Sequence, residues 1–205
     1  MTATDQKVRK GRKYDQVLEG ARSVFMSDGF EGASVDEIAR AAAVSKATLY
    51  SYFPDKRLLF MAVANAECAR QASEAVDKID IEAPPRIVLS QAGHHFLRFI
   101  TSTFGVQVFR ICVAESDRFP EIGQNFYNSG PAMMRSEMAS YFEGAEARGE
   151  LRIADYILAA DQFGELCKAD LWPRLIFGIS KSVSDAEIDR VVEGAVDMFM
   201  ARYGV

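Results

Sequence analysis

A chain of 205 residues, 49% hydrophobic and 26% charged with a net charge of −5, has the composition of an ordinary globular protein with ample apolar material for a core. No run approaches the roughly 18 apolar residues of a membrane span, and no apolar stretch follows the basic N-terminus as a signal peptide requires. Cys68, Cys112 and Cys167 lie far apart, with neither metal-site nor disulfide spacing, and so point to buried thiols in a reducing cytoplasm.

Charge is unevenly distributed. Residues 1–60 carry ten Lys/Arg against eight Asp/Glu, and the remainder 14 against 21. Lys7, Arg9, Lys10, Arg12 and Lys13 crowd into seven residues. Residues 1–13 therefore read as a basic flexible arm, which could contact phosphates or a minor groove if attached to a second basic cluster.

Helical periodicity begins with Tyr14, Leu18, Ala21 and Phe25, a stripe that stops at Gly29. Ser34-Val-Asp-Glu37 is a capping box opening a short helix with Val35, Ile38 and Ala39 inward. Ser45 is the next good N-cap, predicting a third helix to about Phe53. Pro54 ends it, and a longer helix runs from Asp55 to about Lys78. In the third helix Leu49 and Phe53 share the inward face. Ala47 and Ser51 lie opposite, flanked by Thr48 and Tyr50, with Lys46 in the first turn.

That outward face is small, polar and hydrogen-bonding, slim enough to enter a major groove about 12 Å wide. Lys46, Ala47 and Thr48 would approach base edges. The hydroxyls of Tyr50 and Tyr52 and the ammonium of Lys56 would anchor phosphates. By spacing alone, a helix-turn-helix and a plain helical hairpin with an exposed polar helix fit equally well.

The elements Phe25–Phe30, Ser34–Ala39 and Val44–Lys56 together resemble the N-terminal domain of the TetR family of bacterial transcriptional regulators. The resemblance implies that Ser34 and Lys56 approach the DNA backbone. It also implies that Lys46, Ala47, Thr48, Tyr50 and Tyr52, with the N-cap Ser45, line the DNA-facing helix. One departure is Ala43, at a turn position often filled by Gly, where positive φ is expected.

Further along, Pro85 is a good first-turn residue for a helix carrying Val88, Leu89, Phe96, Leu97, Phe99 and Ile100, followed by an apolar stretch from Val106 to Val113. Met134, Met138, Tyr141 and Ala145 mark another helix, closed by Gly149. Asp155 to Lys168 presents Tyr156, Ala159, Ala160, Phe163, Gly164 and Cys167 on one face. Ser184-Asp-Ala-Glu187, a second capping box, starts a last helix ending at Gly204. The segments FPEIGQNFYNSGP, AEARGELRIAD and DLWPRLIFG resemble the C-terminal domain of the AefR-like branch of the same family.

The expected fold is therefore all-α: a helix-turn-helix domain over 14–58 joined to a larger helical domain over 59–205. The resemblance implies a ligand-responsive regulator, by family default a repressor. It would bind double-stranded DNA at a palindromic operator as a homodimer, paired through helices at about 155–171 and 185–203. Ten of the 14 phenylalanines, all but Phe25, Phe30, Phe53 and Phe60, and the only tryptophan lie beyond residue 60. Apolar pockets with few polar groups suit a hydrophobic or aromatic effector. The candidate lining is Phe96, Phe99, Phe109, Met134, Met138, Tyr141 and Trp172, with Glu115 as polar anchor. Core packing explains such side chains equally simply.

No cofactor is implied. His94 and His95 are adjacent, and on a helix they point about 100° apart, too far to chelate one metal together. G-x-S-x-G, P-loop, G-x-G-x-x-G and H-E-x-x-H motifs are absent from the sequence, leaving an all-helical enzyme with little to work with. The acidic second region argues against an architectural DNA-packaging protein.

Overall fold

The computed structural model describes residues 11–205, with the backbone alone for Ala72, Ala75, Val76 and Asp77. The described residues form eleven helices: α1 Arg12–Gly32, α2 Val35–Ala41, α3 Lys46–Tyr52, α4 Lys56–Lys78, α5 Pro85–Ile100, α6 Thr103–Glu115, α7 Pro120–Ser129, α8 Pro131–Ala147, α9 Tyr156–Cys167, α10 Leu171–Ile176 and α11 Asp185–Tyr203. The all-α expectation holds. Two short helices, α7 and α10, were not anticipated. Most of the proposed arm lies outside the described residues, while Arg12 and Lys13 already belong to α1.

Two compact units divide at Ala66/Glu67, inside α4, rather than at 58/59. The shift has a packing cause: Leu59, Phe60 and Val63 of α4 are buried in the first unit, beyond the limit drawn from sequence. Val17, Ala21 and Phe25 of α1, Ile38 of α2 and Leu49 of α3 complete that core. Phe60 meets Phe25 edge-on at 4.9 Å and Phe30 at 5.2 Å. Gly20 is required where α1 crosses α2, since a Cβ there would lie 2.5 Å from the Ala42 nitrogen. Gly29, at φ 70°, breaks the regular helix of α1 where the apolar stripe stops.

In the second unit α5, α8, α9 and α11 bury one cluster built on Leu97, Phe142, Phe163, Val192 and Phe199. Phe142 and Phe199 stack at 4.9 Å. Ser184 and Glu187 form the expected reciprocal cap on α11. The chain end is tied back by an isolated antiparallel bridge between Leu151 and Gly204, with the Arg152 N–H donating to the Tyr203 carbonyl at 2.8 Å. Arg174 of α10 donates to Asp170, Ser180 and Glu187, fastening the α10–α11 connection. No single helix among the described residues is long and apolar enough to cross a membrane.

Candidate nucleic-acid interface

The interface begins with two well-capped short helices. Ser34 accepts from the Glu37 N–H at 3.2 Å, and the Glu37 carboxylate accepts in return from the Ser34 hydroxyl at 2.6 Å and N–H at 3.2 Å. These donors hold the Glu37 pKa below its ordinary value. Between α2 and α3 the turn residue Ala43 adopts φ 51°, the left-handed region that glycine enters freely. The Val44 N–H returns to the Ala39 carbonyl at 3.0 Å. Ser45 then caps α3, accepting from the Thr48 N–H at 3.1 Å, and its hydroxyl pairs with that of Thr48 at 2.9 Å.

On α3 only Leu49 is buried, with the following Phe53 beneath it. Lys46, Ala47, Tyr50 and Ser51 are exposed and Thr48 is partly so, which brings the small polar set onto one outward side. Tyr52 is half-buried, its ring edge-on to Tyr14 at 5.8 Å. Two contacts were not legible in the sequence. Asp36 of α2 forms an ion pair with Lys46. Asp55 accepts from Arg57 through both side-chain oxygens, at 3.0 and 2.6 Å.

Lys56, the expected phosphate anchor, has partners within the protein. Its ammonium donates to the Phe30 carbonyl at 2.7 Å and the Ala33 carbonyl at 3.1 Å, and lies 4.4 Å from the centre of the Phe30 ring. Two of its three donors are thereby directed inward.

Residues 17–63 match the family described as bacterial regulatory proteins, tetR family, and residues 87–205 match the AefR-like transcriptional repressor, C-terminal domain. The chain belongs to the TetR family. Its members are transcriptional regulators rather than enzymes. The repressor AcnR of Corynebacterium efficiens is 40% identical over 57 residues, 28% of this chain and 30% of that protein. The activator FasR of Mycolicibacterium smegmatis is 39% identical over 85 residues, 42% of this chain and 39% of that one. The chain thus spans well under half the length of either curated relative. Solved structures extend the likeness to nearly the whole chain. A TetR-family regulator from Mesorhizobium loti, 28% identical, superposes with a TM-score of 0.80 over 96% of this chain and 100% of that one. The flavonoid-responsive regulator FrrA, 32% identical, does so with 0.67 over 95% and 98%.

In the TetR-family C-terminal domain, the eight candidate effector residues fall into different side-chain groups. Met138 belongs to the buried cluster, and Phe96, Met134 and Tyr141, each partly buried, pack against it. Ala145, on the same helix, is fully buried. Burial pushes the Tyr141 hydroxyl up to about 12, against the lowering pull of Arg148. Phe109 instead meets Trp172 edge-on at 4.9 Å and Phe126 at 6.2 Å, a separate aromatic group joining α6, α7 and α10. Phe99 and Glu115 are half-buried near the ends of α5 and α6. A groove of about 600 Å³ lies elsewhere, between α9 and α11, lined by Leu158, Leu166, Ala169, Met198 and Tyr203 among others, and by none of the eight candidates.

His94 bonds the Ser90 carbonyl at 2.7 Å and Asp189 at 2.9 Å, whereas His95 bonds the Gln71 carbonyl at 2.9 Å. The adjacent imidazoles thus serve separate contacts. No cluster of three metal-ligating side chains occurs among the described residues. All three cysteines are buried, and desolvation raises Cys68 to about 11 and Cys112 and Cys167 to about 12.

Proposed function

We propose that this protein is a dimeric repressor that binds a palindromic operator through α3 and is released by a small hydrophobic or aromatic effector. The observation that carries the reading is the outward side of α3, where Lys46, Ala47, Thr48 and Tyr50 stand clear of the core on a helix capped at Ser45. Short side chains there allow close approach to base edges, while Tyr50, Tyr52 and Ser34 would contact the phosphates that flank the groove. Substituting Thr48 by Ala should change the preferred sequence and leave the salt dependence of binding as it was. A uniform loss across all sequences would contradict that assignment.

Pairing through α9 and α11 is supported by the apolar groove between them and by Leu158 and Met198, which are 50% and 62% exposed on its edges. Met198→Glu should convert the dimer to monomer in sedimentation velocity runs and weaken operator binding with it. Two half-sites read at once gain from effective concentration. An aromatic effector is supported by the Phe109–Phe126–Trp172 group and by the likeness to a flavonoid-responsive relative. A thermal shift with flavonoids that Trp172→Ala removes would bear this out. No shift with any member of a broad aromatic panel would contradict it.

A further inference from the structure

Lys56 opens α4 together with Arg57, two cations at the end of a helix whose dipole disfavours positive charge, and the first turn holds no acid. Arg57 is compensated locally by Asp55. Lys56 finds its compensation elsewhere. The C-terminal end of α1 carries the negative end of the helix dipole, yet its last turn has no basic residue. The Lys56 ammonium, 23 and 26 residues further on, donates to Ala33 and Phe30 there and rests against the Phe30 ring.

The Ala33 carbonyl belongs to the same peptide unit as the Ser34 N–H. That N–H donates to Glu37 at 3.2 Å, so Lys56 grips one end of the peptide plane and Glu37 the other. The plane sets the entry of the chain into α2, and α2 packs on α3 through the turn at Ala43.

We infer that Lys56 is a positioning residue for DNA recognition: it fixes the α1–α2 junction, and with it the seat of α3, through the Phe30 and Ala33 carbonyls rather than through a phosphate. The inference rests on α3 being the DNA-reading helix, which the wild-type protein's binding tests separately. A wild-type protein that binds no duplex would sink that reading before Lys56 enters.

The probes are a duplex selected by the wild-type protein from a random pool and an unrelated duplex of equal length. Lys56→Met keeps the aliphatic stem and removes the donors. Its affinity for the selected duplex should fall roughly 10- to 100-fold, as loss of charged hydrogen bonds does, with the slope of log affinity against log salt unchanged. Affinity for the unrelated duplex should change little. Because Glu37 holds the same peptide, Glu37→Gln should cost much less in the Lys56→Met background than in the wild type. Lys56→Gln, able to donate to one carbonyl, should lose less than Lys56→Met, and it carries the same comparison should the methionine variant fail to fold. A slope reduced by about 0.9, the mark of one lost phosphate contact, with equal losses on both duplexes, would overturn the inference. So would strict additivity with Glu37→Gln.

Discussion

Lys46, the first residue of α3, is ion-paired with Asp36 of α2, so the only cation of that helix is tied to the helix before it. Both side chains are 57% exposed, and such a pair contributes at most about 1 kcal/mol to stability. Its larger effect concerns DNA. Asp36 neutralises a cation that would otherwise be drawn to any phosphate, and it adds a negative charge that every duplex must approach. Asp36→Asn should therefore strengthen binding to unrelated duplexes and steepen the salt dependence by about one contact, with a slope change near 0.9. Discrimination between the preferred and unrelated sequences should narrow. Fluorescence anisotropy titrations at several salt concentrations would read both effects.

Ala43→Gly should stabilise the protein. At φ 51° an alanine bears roughly 1 kcal/mol of strain that glycine avoids, partly offset by the greater freedom glycine has in the unfolded chain. The exposed position loses no packing. A melting temperature raised by a few degrees is expected, and a clear fall would contradict the strain argument.

Ala145→Phe, which would narrow any cavity beside α8, should instead damage the core. Ala145 is fully buried within the cluster of α5, α8, α9 and α11, so the added ring must displace its neighbours. A loss of about 1–3 kcal/mol or more is expected, seen as a lower urea midpoint.

Acid should weaken both capping boxes. Glu37 is held low by the Ser34 hydroxyl and N–H, and Glu187 by the Ser184 N–H and hydroxyl and by Arg174. A carboxylate lowered on folding contributes stability in full above its ordinary pKa of 4.5, and that contribution fades as pH falls through the lowered folded-state value. Glu37→Gln should therefore be less stable than wild type at neutral pH, and the gap should close below pH 4.5. Parallel urea titrations across that range would show whether it does.

These local devices are also what the sequence displayed most clearly. Ser34-Val-Asp-Glu37, Ser45 and Ser184-Asp-Ala-Glu187 each cap a helix as their spacing implies, because a cap joins residues three apart. The positive φ at Ala43 followed from the turn in the same way. Contacts between distant residues stayed hidden. Nothing near Lys56 signals that its partners are the carbonyls of Phe30 and Ala33, and nothing near Lys46 signals Asp36. In the second unit the Phe and Met periodicity was real, but periodicity marks an inward face without distinguishing a filled core from a cavity wall. Met138 and Phe109 thus looked alike in sequence and lie in different clusters. The helices α7 and α10, with Pro120 and Pro173 in their first turns, are only ten and six residues long, too short for a clear apolar period to show.

Selection of duplexes from a random pool by the purified full-length protein, followed by sequencing of the bound fraction, tests the central claim most directly. The expected result is a single inverted repeat with half-sites about one helical turn, or a multiple of it, apart, whose base preferences shift in the Thr48→Ala protein. Recovery of a pool no different from the input, or of a motif unchanged by substitutions along α3, would contradict the reading of α3 as the helix that recognises DNA.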